Sequence, residues 1–480
     1  QTVQMDGLPP SSDSDDWHFH GGVFTGREII LVPARNKPVV RLRSPTAPIM
    51  AQDGRSFSGF LTNTTTPLGP NVVAATFNNW PDVSPDTIAL GIRGGSFDVF
   101  TNAMYFTPRE AMVIIKLEID AETGIPGAAS VFARLSSVAE FPKDSFKGST
   151  MANRDVWFFP FKYTPGYDQR AIVKVNLDTA AIESFSEWPS GSQLSTYSFL
   201  GGTFDGRQTI YLPPGTADRP YTVNVLSGKI RAINWNDEGD TGFPTPQRYK
   251  TAGAVYDGKR YIVFVPASLG LVVRLDTLDN NRLANFSDWP ASVNNATSPW
   301  MAFSQGVFDG YETVWFAPYL ADSIVRFNIH TGAMNGFNAW PSEVGYRLNY
   351  WASGIAFDGD AFYLTPAPHT TILRITNGTD PSNIRASVVR MDPNHHSVDE
   401  WKMGGLVFNG RTLVDTGPHA DGRIIYIRPA TSTPSLSTSE SPSRAPTGSA
   451  TPSATESDSS TSSQSPSTSA SSSKSRPPSH

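Results

Sequence analysis

The chain has 480 residues, with 39 glycines, 39 prolines, 11% aromatic and only 17% charged residues, a balance that suits short strands and many turns better than helices. Its net charge of −6 lacks the basic surplus expected of a nucleic-acid-binding protein. No apolar run reaches the roughly 18 residues of a membrane span, and the absence of cysteine excludes disulfides, thiolate zinc sites and a cysteine nucleophile.

The chain starts at Gln1 rather than Met, which fits removal of a leader, and the first strand-like phrase follows at residues 21 to 33, GGVFTGREIILVP. This phrase recurs. GGTFDGRQTIYLP ends at Pro213, GAVYDGKRYIVFVP at Pro266, GVFDGYETVWFAP at Pro318, GIAFDGDAFYLTP at Pro366 and GLVFNGRTLVDTGP at Pro418, with weaker copies ending at Pro108 and Pro160. The eight prolines are separated by 75, 52, 53, 53, 52, 48 and 52 residues. A second phrase follows each proline, as in VVRL at 39, AIVKVN at 171, VVRLD at 272 and IVRFN at 324. In most copies a third comes next, including FNNWP at 77, FSEWP at 185, FSDWP at 286 and FNAWP at 337. About four short strands per unit of 40 to 50 residues is the signature of a β-propeller blade. The recurring Asp-Gly predicts a tight type I′ hairpin, and the glycines ahead of the first strand permit close approach of the innermost strands.

The eighth unit lacks a final strand. Residues 387–405 and 2–22 share a pattern, with Val389, Met391, Asp392 and Trp401 matched by Val3, Met5, Asp6 and Trp17. The expectation is therefore one all-β, eight-bladed propeller over residues 1–429, closed by an N-terminal strand at residues 2–6. Seven blades are the alternative, should the unit ending at Pro108 be an excursion. Residues 430–480 are almost wholly Ser, Thr, Pro and Ala and are expected to be a disordered, mucin-like tail.

Phrases of the form VFDG, YLVP and VVRLD resemble those of kelch-like and other secreted propeller repeats, across about nine-tenths of the chain. The resemblance implies the fold and no particular chemistry.

The loops leading into the innermost strands are expected to gather at the mouth of the channel. Six residues before the aromatic of VFDG stand His18, Ser198, Lys250, Ala302, Trp351 and Lys402; four before it stand His20, Leu200, Ala252, Ser304, Ser353 and Gly404, with Lys147 in the third unit. His18, His20, Lys147, Lys250, Trp351 and Lys402 are the candidate ligand-binding residues, able to receive an anionic or sugar-like ligand by charge and stacking. No spacing matches a known metal site, and no catalytic constellation or cofactor motif stands out. The first unit carries about 25 extra residues between Leu42 and Phe77, expected on the face away from the mouth. Sequons at Asn63, Asn285, Asn295 and Asn377 are candidate glycosylation sites. The resulting expectation is a secreted or cell-surface binding, adhesion or coat module for an extracellular protein or glycan, with self-association a further expectation. The alternative is an extracellular glycoside hydrolase, lyase or esterase working at the channel mouth.

Overall fold

A computed structural model describes residues 72–81, 92–109, 112–121, 123–135, 145–161, 170–234, 249–294, 296, 301–342, 352–366, 371–376, 384–390, 405–415 and 424–429. It also describes Leu68 and, as backbone strands, 19–24, 28–33 and 40–43. All of these lie in the first of two units, Gln1–Ala430 and Thr431–His480. The expected tail lies outside the described residues.

Strands β1 (Phe19–Phe24), β2 (Glu28–Pro33) and β3 (Val40–Arg43) form a three-stranded sheet. After β4 (Val72–Phe77) come six blades of four antiparallel strands. Blade one is β5 to β8 (Ile92–Asp98, Ala103–Pro108, Val113–Ile119, Pro126–Arg134) and blade two β9 to β12 (Phe146–Ala152, Asp155–Pro160, Ile172–Asn176, Ile182–Phe185). Blade three is β13 to β16 (Thr203–Phe204, Thr209–Leu212, Tyr221–Asn224, Ile230–Ala232) and blade four β17 to β20 (Thr251–Tyr256, Tyr261–Pro266, Val272–Asp276, Arg282–Phe286). Blade five is β21 to β24 (Phe303–Phe308, Thr313–Pro318, Ile324–Asn328, Met334–Phe337) and blade six β25 to β28 (Ala352–Phe357, Phe362–Pro366, Thr371–Thr376, Arg385–Arg390). Blade seven joins β29 (Leu406–Phe408), β30 (Leu413–Asp415) and β31 (Ile424–Pro429) to β4, brought from the far end of the sequence.

The ring therefore has seven blades, not eight, and its clasp is β4, not residues 2–6. Ile424 lies opposite Phe77 and Pro429 opposite Val72, in an unbroken antiparallel register. Residues 2–6 lie outside the described residues. The seven-bladed count does not arise from an excursion at Pro108, since that unit is a complete blade. Instead the first copy of the repeat stands apart as β1–β3, and its own third phrase, ending in Phe77-Asn-Asn-Trp80-Pro, closes the last blade. The long interval of 75 residues between Pro33 and Pro108 marks this displacement.

The cores lie between blades. Alternation along each strand sends successive side chains to opposite faces. On β18, Val263 and Val265 join the cluster shared with blade five, while Ile262 and Phe264 join the one shared with blade three. Phe77, Val407, Val414 and Ile424 of blade seven pack with Ile92, Phe97, Met104 and Phe106 of blade one, which closes the circle. The third phrase supplies the joints: the indole N–H groups of Trp188, Trp289 and Trp340 donate to the carbonyls of Arg170 (2.6 Å), Gly270 (2.8 Å) and Asp322 (3.0 Å). Trp188 and Trp289 also stack on Phe199 and Phe303, at the entry to the next blades, at 5.6 and 5.7 Å. The cation of the second phrase lies across a second-strand ring, as Lys174 does over Trp157 and Arg326 over Trp315.

The Asp-Gly turns differ from the expected type I′ hairpin. Only the glycine takes positive φ, 70° at Gly206, 79° at Gly258 and 85° at Gly310. The aspartate acts as a cap. Asp205 Oδ1 accepts the N–H groups of Arg207 (2.8 Å), Gln208 (3.0 Å) and Thr209 (3.0 Å), and Asp257 and Asp309 repeat the arrangement. A carboxylate filled by three donors favours this wider loop over a two-residue turn. Close approach at the axis holds at Gly354, where a Cβ would stand 2.8 Å from Gly405 Cα.

The clasp leads to a truncation test. Removing residues 1–43 is expected to leave one cooperative thermal transition close to that of the full chain. Removing residues 1–77 takes β4 away, exposes the edge of β31 and is expected to lower the transition sharply, as read by circular dichroism.

Candidate functional site

In each blade the loop leading into the first strand and the loop between the second and third strands emerge on one face. The position six residues before the VFDG aromatic proves to be a backbone latch there. The N–H groups of Ser198, Lys250 and Ala302 donate to the carbonyls of Phe161 (3.1 Å), Gly215 (2.8 Å) and Ala267 (2.7 Å), each in the preceding blade. Their own carbonyls receive the N–H groups of Gly215, Ala267 and Ala321. All three side chains are buried.

Lys250 shows what this does to a candidate ligand-binding residue. It is 5% exposed, and Nζ donates to the Ala217 carbonyl at 2.6 Å, so the ammonium fastens the second-to-third-strand loop of blade three. Burial pulls its pKa below the ordinary lysine value, opposed by the Asp218 carboxylate. Lys147, half-buried on β9, holds its ammonium 5.0 Å from the Phe161 ring. His20 falls on β1, where only the backbone is described; His18, Trp351 and Lys402 lie outside the described residues. Of the sequons, Asn285 is exposed on the outermost strand of blade four, and Asn63, Asn295 and Asn377 lie outside the described residues.

One position earlier, seven before the aromatic, the structure brings together residues that the sequence reading passed over. Tyr197 and Tyr249 are both half-buried and meet at 5.2 Å between ring centroids, and Tyr197 meets Phe161 at 4.9 Å. The run Phe161–Tyr197–Tyr249 crosses three consecutive blades on the mouth face. Its signal in the sequence was the spacing of 52 residues between Tyr197 and Tyr249, one blade.

Tyr197 is held at φ 73°, in the left-handed region that a tyrosine seldom adopts. Its N–H donates to the Phe161 carbonyl and its own carbonyl accepts from Thr216 N (3.0 Å). Side-chain hydroxyls lock the flanks: Ser198 Oγ donates to the Ser195 carbonyl (2.6 Å), Ser195 Oγ to Thr216 Oγ1 (2.8 Å), and Thr216 Oγ1 to the Thr196 carbonyl (2.6 Å). A Cβ at Gly215 would collide with the Tyr197 carbonyl oxygen. Strain of this kind costs on the order of 1–3 kcal/mol and persists where the surroundings enforce it, often at binding sites. The arrangement offers a ridge of aromatic faces beside hydroxyls. Among the described residues no group of three or more His, Asp or Glu side chains is placed to hold a metal ion.

No family model matches the chain, and no curated protein matches its sequence. Among solved structures it is similar to virginiamycin B lyase from Staphylococcus aureus, at 15% identity and a TM-score of 0.49, over 74% of this chain and 99% of that one. It is also similar to the Cps50 (Swd1) β-propeller domain of Myceliophteria thermophila, at 10% identity and a TM-score of 0.47, over 74% of this chain and 99% of that one. A third is the extracellular domain of a hybrid two-component system from B. thetaiotaomicron, at 12% identity and a TM-score of 0.46, over 75% of this chain and 42% of that one. The likeness is one of propeller architecture alone.

The latch lysine sets a pH dependence. Its pKa is lower in the folded chain, so the unfolded chain binds the proton more tightly, and this residue's contribution to stability rises with pH up to the ordinary value of 10.5. Lys250→Met is expected to abolish that rise, measured as the difference in Tm between variant and parent across neutral to alkaline pH.

Proposed function

We propose that the propeller is a glycan-binding module of the cell surface or the extracellular space, with its ligand lying on the mouth face across blades two to four. The observation that carries this reading is the strained Tyr197 at the centre of the Phe161–Tyr197–Tyr249 run. A sugar ring presents C–H groups on its faces and hydroxyls on its rim. The two half-buried tyrosines supply flat apolar surfaces for the faces of a sugar ring. Ser195 and Thr196 stand beside Tyr197 to meet rim hydroxyls. Lys147 next to Phe161 favours a ligand bearing a carboxylate or sulfate near one end.

The kelch-like phrasing, the sequon at exposed Asn285 and the Ser/Thr/Pro-rich residues 430–480 support placing this module outside the cell as a glycoprotein on an O-glycosylated stalk. The absence of cysteine is compatible with that setting, because blade packing supplies the stability.

Tyr197→Gly separates site from scaffold. Glycine adopts positive φ without strain, so the variant is expected to melt no lower than the parent. It loses the ring, so binding on a glycan array is expected to fall tenfold or more, as it is for Tyr249→Ala. A parent protein that retains no glycan, or a Tyr197→Gly variant that binds as the parent does, overturns the reading.

A further inference from the structure

Blades three to seven each cap the turn between their first two strands with one side chain, and the second polar atom of that cap changes its task near the seam. In blades three to five, Oδ1 of Asp205, Asp257 and Asp309 gathers three N–H groups of its own turn. In blades six and seven the turn closes one residue sooner, and Oδ1 gathers two. Asp358 takes the N–H groups of Asp360 (2.9 Å) and Ala361 (2.8 Å), and Asn409 those of Arg411 (3.0 Å) and Thr412 (2.8 Å). The remaining atom of each reaches out of its turn. Asp358 Oδ2 accepts the N–H of Leu68 (2.9 Å), on the segment that leads into β4. Asn409 Nδ2 donates to the carbonyl of Gly124 (2.9 Å), in the turn between the third and fourth strands of blade one.

The joint between blades seven and one depends on polarity. A carbonyl must be met by a donor, and of these five caps only Asn409 carries one. Thr412 Oγ1 completes the joint, donating to the same Gly124 carbonyl (2.6 Å) and accepting from Asn409 Nδ2 (2.8 Å). The two turns also fit closely: Gly124 holds φ at 72°, and a Cβ there would stand 2.6 Å from Arg411 Cβ. A carboxylate at position 409 would keep the two N–H groups of its own turn but set an oxygen against the Gly124 carbonyl. Two acceptors facing each other leave both without a donor, and that loss is larger than the bond itself.

We propose that Asn409 is a site of spontaneous deamidation, and that its conversion to a carboxylate loosens the joint between blades seven and one. Asn409 is followed by Gly410, which has no Cβ to shield its backbone nitrogen. That nitrogen gives up its proton and bonds to Asn409 Cγ, the bond from Cγ to Nδ2 breaks, and ammonia leaves, closing a succinimide ring. Water then opens the ring at either carbonyl, giving aspartate or isoaspartate, and no other reactant is required. The bonds to Gly124 and Thr412 hold the carboxamide in place, so the reaction waits on an opening of the joint. Each conversion then leaves the joint weaker than before, and the change is one-way. Asn335-Gly336, the other such pair among the described residues, lies within β24, where Asn335 is exposed.

The full chain, incubated in mildly alkaline buffer and then digested, shows the reaction by mass spectrometry of the peptide that holds Asn409 and Gly410. Conversion to aspartate and isoaspartate is expected, at least tenfold slower in the folded chain than in the chain unfolded by urea. Asn409→Asp made directly is expected to lower Tm by a few degrees and to speed hydrogen exchange at least fivefold in residues 119–125 and 406–415. Asn335→Asp is expected to leave both as in the parent. Chain aged to partial conversion and separated by charge supplies the same comparison without a substitution, should Asn409→Asp fail to fold. An Asn409 that stays an amide in the folded chain while the unfolded chain converts, or a converted chain whose Tm and exchange match the parent's, overturns the proposal.

Discussion

Every blade is apolar on both faces, and that single constraint organises the molecule. A sheet with two apolar faces has no stable solution alone, and it must be covered on each side. Copies of one repeat cover one another, and the stack ends only where the last face meets the first. The cluster joining Phe77, Val414 and Ile424 to Met104 and Phe106 is where this happens. The repeated Trp-Pro corners and the cations lying over second-strand rings are local means of fixing the angle between neighbours.

The fold class was legible because it rests on local, repeated chemistry. VFDG, the strand-ending proline and FSEWP each recur at one-blade spacing, and each has its own task in the structure. Closure was harder to read because it is not local. Val3 and Met5 match an outer strand by pattern, but β4 carries the Trp-Pro corner that ends a fourth strand, with Phe77 meeting Trp80 at 5.3 Å and Trp80 meeting Phe106 of blade one at 5.8 Å. The hairpin type was misread for a related reason. Asp-Gly has more than one stable turn, and the choice depends on how many backbone donors the carboxylate gathers.

The candidate site was half legible. Periodicity and counting back from the aromatic reached the loops that lead into the first strands. They could not tell which register position turns its side chain inward: Lys250 is buried, and its half-buried neighbour Tyr249 carried no flag of its own in the sequence. The latch explains the difference: the residue whose N–H bonds to the preceding blade and whose carbonyl bonds to its own is pinned beneath the loops, and the one before it is left half-buried.

The clasp also fixes how the ring answers to mechanical load. Tension entering from the polypeptide beyond Pro429 reaches β31 first, a strand flanked by β30 and β4. The pull runs along the strand, across backbone bonds that lie perpendicular to it. Bonds in that geometry shear together instead of unzipping singly, so the circle opposes traction most strongly at its own seam.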